Sequence, residues 1–415
     1  MKNIDEIAVQ PIEKYSDSKG ISRSKPKTMF GRIVSSLISN IEYGGVKVTL
    51  PSSEVVSHFA SNNGPIAEVH FKNWQGIMRY LTGGELAFAE SYLAGDVDIP
   101  RLSSLFNWFL LNEHVLRKQK KRYWFSKLIN KYAHHVLRDN SKSGSQKNIS
   151  FHYDLGNDFY EMMLDQSMTY SSADFTETTD LRQGQYNKYQ RIMDTIDIND
   201  GEKVLEIGCG WGGFAEHLLQ NKDVDYRGIT ISNEQLKYAK DRLSNISAEK
   251  DFVHFQDYRD LKGKFDKIVS IEMFEAVGQK HWVAYFDQVK KLLAEGGQAS
   301  IQVITINPER FEKYSNNVDF IQKYTFPGGM LPTEELFIKH ANDAGLDVTS
   351  VFKFGKSYAE TLRQWREKFL EAKNNLSDFG LDERFYRMWL YYLEYCEVGF
   401  EHETIDVAQF TLGHR

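Results

Sequence analysis

The 415-residue chain has only two cysteines, Cys209 and Cys396. That number excludes a disulfide framework and fits a reducing compartment. No apolar run is long enough to span a bilayer and no segment is patterned as a signal peptide, so a cytoplasmic protein is expected. Surplus positive charge is missing as well. The net charge of −6 argues against general nucleic-acid binding. What the chain has in quantity is apolar and aromatic residues, 41% and 13%, enough for large cores in about two domains.

One stretch organises the rest: Lys203-Val-Leu-Glu-Ile-Gly-Cys-Gly-Trp-Gly-Gly-Phe214. Val204, Leu205 and Ile207 read as a buried strand. Gly208, Gly210, Gly212 and Gly213 follow, and glycines there allow positive φ and let a ligand touch bare backbone. Phe214, Ala215, Leu218 and Leu219 then open a helical pattern. Strand, glycine turn and helix begin a nucleotide-binding α/β unit. Gly208, Gly210 and Gly213 fit G-x-G-x-x-G, which alone is weak. A dinucleotide site also wants an acid at the tip of the second strand. Here Thr230 and Gln235 lie in that region and the nearest acid, Glu234, lies past it. Glu206, inside the first strand end, can hold an ammonium group. The combination favours S-adenosylmethionine (SAM) over a dinucleotide. The plainer alternative is a turn whose glycines serve packing only.

Further strands are expected at about 224–231, 252–256, 265–271, 299–305, 348–354 and 405–412. Alternation with helices argues for a parallel doubly wound sheet, closed by an antiparallel edge pair. Earlier in the chain, residues 1–30 read as a loose tail. Residues 31–115 read as a smaller α+β domain, with strands at 45–50 and 67–71 and helices at 74–81 and 84–95. Residues 116–149 form a basic linker. Its run Arg117-Lys-Gln-Lys-Lys-Arg-Tyr-Trp-Phe125, continued by Lys127, Lys131 and Arg138, suits an anionic membrane surface and equally suits a solvated helix face. Residues 150–415 form the catalytic domain.

Six blocks resemble the cyclopropane-fatty-acid synthase family of SAM-dependent methyltransferases, which includes the mycolic acid cyclopropane synthases. They are Phe151-His-Tyr-Asp-Leu-Gly-Asn-Asp-Phe159, Glu206-Ile-Gly-Cys-Gly-Trp-Gly-Gly213 and Gly228-Ile-Thr-Ile-Ser-Asn-Glu-Gln235. The others are Gln256-Asp-Tyr-Arg-Asp260, Phe274-Glu-Ala-Val-Gly278 and Tyr324-Thr-Phe-Pro-Gly-Gly-Met-Leu-Pro332. The resemblance implies an α/β class I methyltransferase fold with a seven-stranded sheet. It implies SAM as cofactor, a bound bicarbonate ion, and unsaturated phospholipids at the inner face of the membrane as partners. For the N-terminal domain it implies lipid handling and a homodimer.

Site residues follow from the same resemblance. Tyr170 and Ser171 touch SAM, and Glu206, Gly208, Cys209, Gly210 and Gly212 form its turn. Thr230 and Gln235 face the ribose side, while Tyr258 and Arg259 bracket the adenine over Ile271. Ser232 and Asp257 belong to the same cofactor-binding set. An isolated alkene that accepts a methyl group becomes a carbocation, which must lose a proton for a ring to close. The site therefore needs π faces and a base. Bicarbonate is the implied base, held by Glu275, Gln302 and Tyr358 and by the backbone of Ser172. Many members carry Cys where Ser172 stands and His where Ala276 stands, and several have His in place of Gln302. These departures keep methyl- or methylene-branched products open beside a cyclopropane. Cys396 aligns with a cysteine once given an active-site role in the family, yet no step requires a thiolate. A soluble amine methyltransferase and a lipid-binding protein are the alternative function classes.

Overall fold

The computed structural model describes residues 26–118 and 155–415, with backbone only at 119 and 120. The expected tail, most of the basic linker and the residues His152, Tyr153 and Asp154 lie outside the described residues. The chain divides into two compact units, Met1–Lys127 with Glu383–Arg387, and Leu128–Asp382 with Met388–Arg415.

The first unit carries a four-stranded sheet in the order β2-β1-β3-β4. Its strands are β1 (Tyr43–Thr49), β2 (Val55–Phe59), β3 (Asn62–Phe71) and β4 (Val97–Asp98). β1 runs parallel to β3 and antiparallel to β2. β2 and β4 were not expected; one is five residues long and the other two, too short to show alternation. The helix Trp74–Leu93 is broken at Gly84 (φ 72°, ψ −147°), which gives the two helices read from the sequence. Asn112, fully buried on the helix Leu102–Lys120, joins that helix to the sheet. Its Oδ1 accepts from Glu42 N and Tyr43 N, and its Nδ2 donates to Tyr43 O and Trp108 O. All four hydrogen-bond positions of the amide are thus used, which offsets the cost of burying it.

The second unit is a seven-stranded sheet in the order β10-β11-β9-β8-β5-β6-β7. The strands are β5 (Lys203–Ile207), β6 (Asp225–Thr230), β7 (Val253–Phe255), β8 (Phe265–Ile271), β9 (Leu293–Ile306), β10 (Leu346–Lys353) and β11 (Ile405–His414). β5 to β9 are parallel, and β11 is antiparallel to both β9 and β10. The last strand therefore sits inside the sheet and β10 takes the edge.

Both faces of this sheet are covered, which is why β5 and β8 read as apolar runs. Leu205, Ile207 and Ile268 face a core with Trp282, Phe286 and Phe337. Val204 and Val269 face the other side, with Ile192, Phe214 and Leu218. Trp282, Phe286 and Phe337 have no exposed surface. Burying each such side chain is worth roughly 1.5–3 kcal/mol or more, so the sheet is a rigid base for the loops at its strand tips. No helix among the described residues is long and apolar enough to cross a membrane.

Candidate active site

The turn after β5 is built as its glycines require. Gly208, Gly210 and Gly212 have φ of 82°, 54° and 83°, a region that non-glycine residues enter only at a cost. Gly208 N and Cys209 N both donate to Ile229 O at 2.9 and 3.1 Å, pinning the turn to the tip of β6. A Cβ on Gly208 would lie 2.8 Å from Met273 Cγ, and one on Gly213 would lie 2.8 Å from Ser167 O. A Cβ on Gly210 would meet nothing within 4 Å. The backbone at Gly210 is thus open, next to the N-terminus of the nine-residue helix Gly213–Asn221. This open backbone is where the sequence leads one to expect the methionine end of SAM.

Glu206 does not stand ready for an ammonium group as the sequence suggested. It is 2% exposed, the Tyr226 hydroxyl donates to its Oε2, and burial raises its pKa to about 8. The reason is geometric: β5 is buried on both faces, so Glu206 projects into packed structure and props the turn from within. Cys209 is also buried, which pushes its thiol pKa far up.

At the tips of β6 and β7 the expected ribose and adenine residues are mostly engaged with one another. Thr230 Oγ1 donates to Gln235 Oε1 at 2.9 Å, Ser232 N donates to Thr230 Oγ1, and Gln235 N donates to Ser232 Oγ. Together they cap the helix Asn233–Ser244. Arg259 grips Asp257 through Nε and Nη2 at 2.8 and 2.6 Å. Tyr258 departs from expectation. Its ring lies in the core, edge-on to Tyr285 at 5.4 Å, because the short helical turn Tyr258–Asp260 points it inward. Ile271, partly buried, packs against the cluster on the other face of the sheet.

The largest correction concerns the carboxylate cluster. Ser172 N, Gln302 and Tyr358 do converge, but on Glu272 and not on Glu275. Glu272 Oε1 accepts from Ser172 N at 2.9 Å and from Gln302 Nε2 at 2.7 Å; its Oε2 accepts from the Tyr358 hydroxyl at 2.6 Å. Burial raises its pKa, while the Tyr358 bond and the Lys188 charge pull the other way. Glu272 lies immediately after β8 with φ 51°, and its N–H donates to Gln302 O. That left-handed step turns its side chain into the group of donors. Three residues on, Glu275 Oε1 accepts from Ile304 N at 2.5 Å. Its Oε2 is buried without a partner, and burial together with the Glu272 charge raises its pKa to about 8. The Ser172 hydroxyl donates to Ala173 O, so only the backbone of Ser172 faces the carboxylate. Bicarbonate does not fit this arrangement, since Ser172 N, the Tyr358 hydroxyl and one N–H of Gln302 are already bonded to Glu272, whose charge would repel it.

Aromatic walls surround this cluster. Tyr170 stacks on Trp365 (5.1 Å between centroids, 25°) and hydrogen-bonds Tyr392 through its hydroxyl at 2.9 Å. Tyr358 stacks on Phe400 at 4.4 Å. Ser171 Oγ accepts from Lys188 Nζ at 2.6 Å. Lys188 is fully buried, also donates to Gln185 Oε1, and has its pKa lowered by burial to about 7. The sequence reading missed Lys188, yet it lies four residues before Ile192 on the buried face of the helix Leu181–Thr195, a position where a lysine is conspicuous. Cys396 is partly buried and its thiol pKa is pushed up, so it is not a thiolate. In chemical terms, the site pairs π faces that can stabilise positive charge with a carboxylate oriented by three donors.

Comparison with known proteins bears on the fold and the family. The family described as mycolic acid cyclopropane synthetase matches residues 140–410. Tuberculostearic acid methyltransferase UfaA1 of Mycobacterium tuberculosis is 35% identical over 79% of this chain and 79% of its own length. Cyclopropane-fatty-acyl-phospholipid synthase of Escherichia coli is 34% identical over 84% of this chain and 88% of its own. The solved cyclopropane synthase MmaA2 of M. tuberculosis is similar with a TM-score of 0.60 and 28% identity, over 64% of this chain and 97% of that one.

Proposed function

The chain belongs to the mycolic acid cyclopropane synthetase family and is a SAM-dependent methyltransferase, and we propose that it methylates the double bond of unsaturated acyl chains in phospholipids and closes a cyclopropane ring. SAM, when bound, supplies an electrophilic methyl group on a sulfonium. The open backbone at Gly210 would receive its methionine end, and the Tyr170–Trp365 pair would face the developing positive charge. Such a cation–π contact is worth about 2 kcal/mol where water is excluded.

The observation that carries this reading is Glu272, a carboxylate set among aromatic rings and held by Ser172, Gln302 and Tyr358. A carboxylate beside aromatic rings would also suit a cationic amine, and the 34% identity to a cyclopropane-fatty-acyl-phospholipid synthase over 84% of the chain favours the alkene. The test is mass spectrometry of total lipids after expression in a host without such enzymes. A gain of one CH2 on unsaturated chains supports the reading, while unchanged lipids with SAM turnover on amines would replace it. A branched product is the second reading, favoured by the relative named as a tuberculostearic acid methyltransferase. Chromatography of the same lipids separates ring from branch.

Action on phospholipids requires a route to the bilayer. The basic, aromatic segment beginning at Arg117 supports peripheral docking on the inner face of the membrane. Each basic residue near an anionic surface contributes about 1 kcal/mol, and salt screens it. Replacing Lys118, Lys120, Lys121 and Arg122 by Gln should weaken vesicle co-sedimentation at low salt and leave SAM affinity intact. Sedimentation velocity tests the homodimer.

A further inference from the structure

We propose that the Glu272 carboxylate is itself the base that receives the proton released as the ring closes, in the place that the family resemblance reserves for a bicarbonate ion. The inference rests on the alkene-methylation reading above and deepens it.

Three observations carry it. First, the donors that would hold an external anion are spent on Glu272: Ser172 N, Gln302 Nε2 and the Tyr358 hydroxyl. A second anion beside it would find among these three only the second N–H of Gln302. It would also meet a like charge, at a cost of about 4 kcal/mol at 4 Å for an effective dielectric near 20. Second, Glu272 adopts φ 51°, a conformation that costs a non-glycine residue on the order of 1 kcal/mol. The strain has a result, because it turns the side chain back over the tip of β8 into those donors. Third, the residue keeps part of its surface accessible. Its three hydrogen bonds use three of about four acceptor positions on a carboxylate, which leaves one for a proton.

The step balances without any further reagent. Transfer of the methyl to one carbon of the double bond leaves the positive charge on the other carbon of that former double bond. A C–H bond of that methyl breaks, its electron pair forms the third C–C bond of the ring, and the proton goes to Glu272. The acid then returns the proton to water between turnovers. Gln302 cannot titrate, so in this arrangement it orients the carboxylate and takes no proton.

The experiment compares wild type, Glu272→Gln and Glu272→Gly on unsaturated phospholipid vesicles, in buffer stripped of bicarbonate and in buffer containing it. Wild type should be insensitive to bicarbonate. Glu272→Gln should lose on the order of a hundredfold or more in rate while retaining SAM affinity by calorimetry. Glu272→Gly relaxes the positive φ and frees the three donors, so it should fold, be inactive without bicarbonate and regain activity with bicarbonate or formate. Carbon-13 NMR with labelled bicarbonate gives a second readout: binding to Glu272→Gly and none to wild type. The proposal is overturned if wild-type activity falls on bicarbonate removal, if Glu272→Gln keeps its rate, or if a SAM-binding Glu272→Gly is not rescued. It is also overturned if wild type binds labelled bicarbonate at this site. A wild type that modifies no lipid would sink the substrate reading, and the NMR comparison would still decide whether Glu272 occupies the anion position.

Discussion

Gln409 Nε2 lies 3.1 Å from Gln302 Oε1, and the register of β11 on β9 pairs these two residues directly. The contact fixes which end of the Gln302 amide points at Glu272. With its oxygen held by Gln409, Gln302 can offer only its N–H2 group. Replacing Gln409 by Leu removes the donor and leaves a buried carbonyl oxygen unsatisfied, a cost of about 1–3 kcal/mol. It also allows the amide to turn its oxygen toward the carboxylate. The expected outcome for Gln409→Leu is a kcat reduced by roughly tenfold, with SAM affinity unchanged. Steady-state kinetics beside calorimetry check this, and an unaltered kcat would show that Gln302 needs no such guide.

The glycine turn gives a second expectation. A valine at Gly210 would meet no protein atom through its Cβ, so the fold loses only the strain of a β-branched residue at positive φ, about 1–2 kcal/mol. Its side chain would instead fill the space over the bare backbone. Gly210→Val should bind SAM too weakly to detect by calorimetry while melting a few degrees below wild type. Wild-type affinity in this variant would remove the turn from the cofactor site.

Much of this fold is readable from residue patterns, and the exceptions are physical. β5 and β8 hold short apolar runs, Val204-Leu205 and Ile268-Val269, and β11 spaces Ile405, Val407, Phe410 and Leu412 among polar residues, while β6 is legible chiefly from its place after the glycine turn and helix. The two carboxylates after β8 are harder to tell apart. Glu272 and Glu275 are three residues apart, and the family resemblance points to Glu275. Which one faces Ser172, Gln302 and Tyr358 depends on a single left-handed residue, and no sequence pattern announces positive φ at a glutamate. A weaker signal did exist. Glu272 stands directly after the run Ile268-Val-Ser-Ile271, much as Glu206 stands at the end of β5. Tyr258 failed in the other direction, because an aromatic at a strand tip can turn into the core as readily as toward a ligand.

Acidity offers a third test. The folded-state pKa of Glu275 is raised to about 8 by burial and by the neighbouring Glu272 charge, against about 4.3 in an unfolded chain. Between these values the native state holds the extra proton. The contribution is therefore fully present below the unfolded pKa and is lost as pH rises toward 8, by at most about 1.4 kcal/mol per pH unit. Glu206 has its pKa raised in the same direction and adds to the slope. Glu275→Gln cannot titrate, so its stability should fall less than that of wild type between about pH 5 and pH 8. Urea denaturation at both pH values decides it, and identical losses in the two proteins would contradict the assignment.

Cys396 supplies a fourth expectation. Burial holds its thiol well above the ordinary range, with the Asp319 charge adding to the effect, so the nucleophilic thiolate is scarce near neutral pH. Cys396→Ala should turn over at close to the wild-type rate, and iodoacetamide should label the residue slowly. A large loss of kcat with intact SAM affinity would restore a chemical role for the sulfur.

The placement of β11 also bears on biosynthesis. β10 has no neighbour in the sheet except β11, and β9 meets β10 only through it. On the ribosome, β5 to β9 can therefore pair as they emerge, but β10 must wait until residues 405–414 arrive. Until then β9 is an open edge of 14 residues, a template for pairing with other chains. Gln409 arrives on that same strand, so the amide that faces Glu272 is set only when the sheet closes. A nascent chain stalled before Ile405 would be exposed to aggregation and have an unfinished catalytic centre.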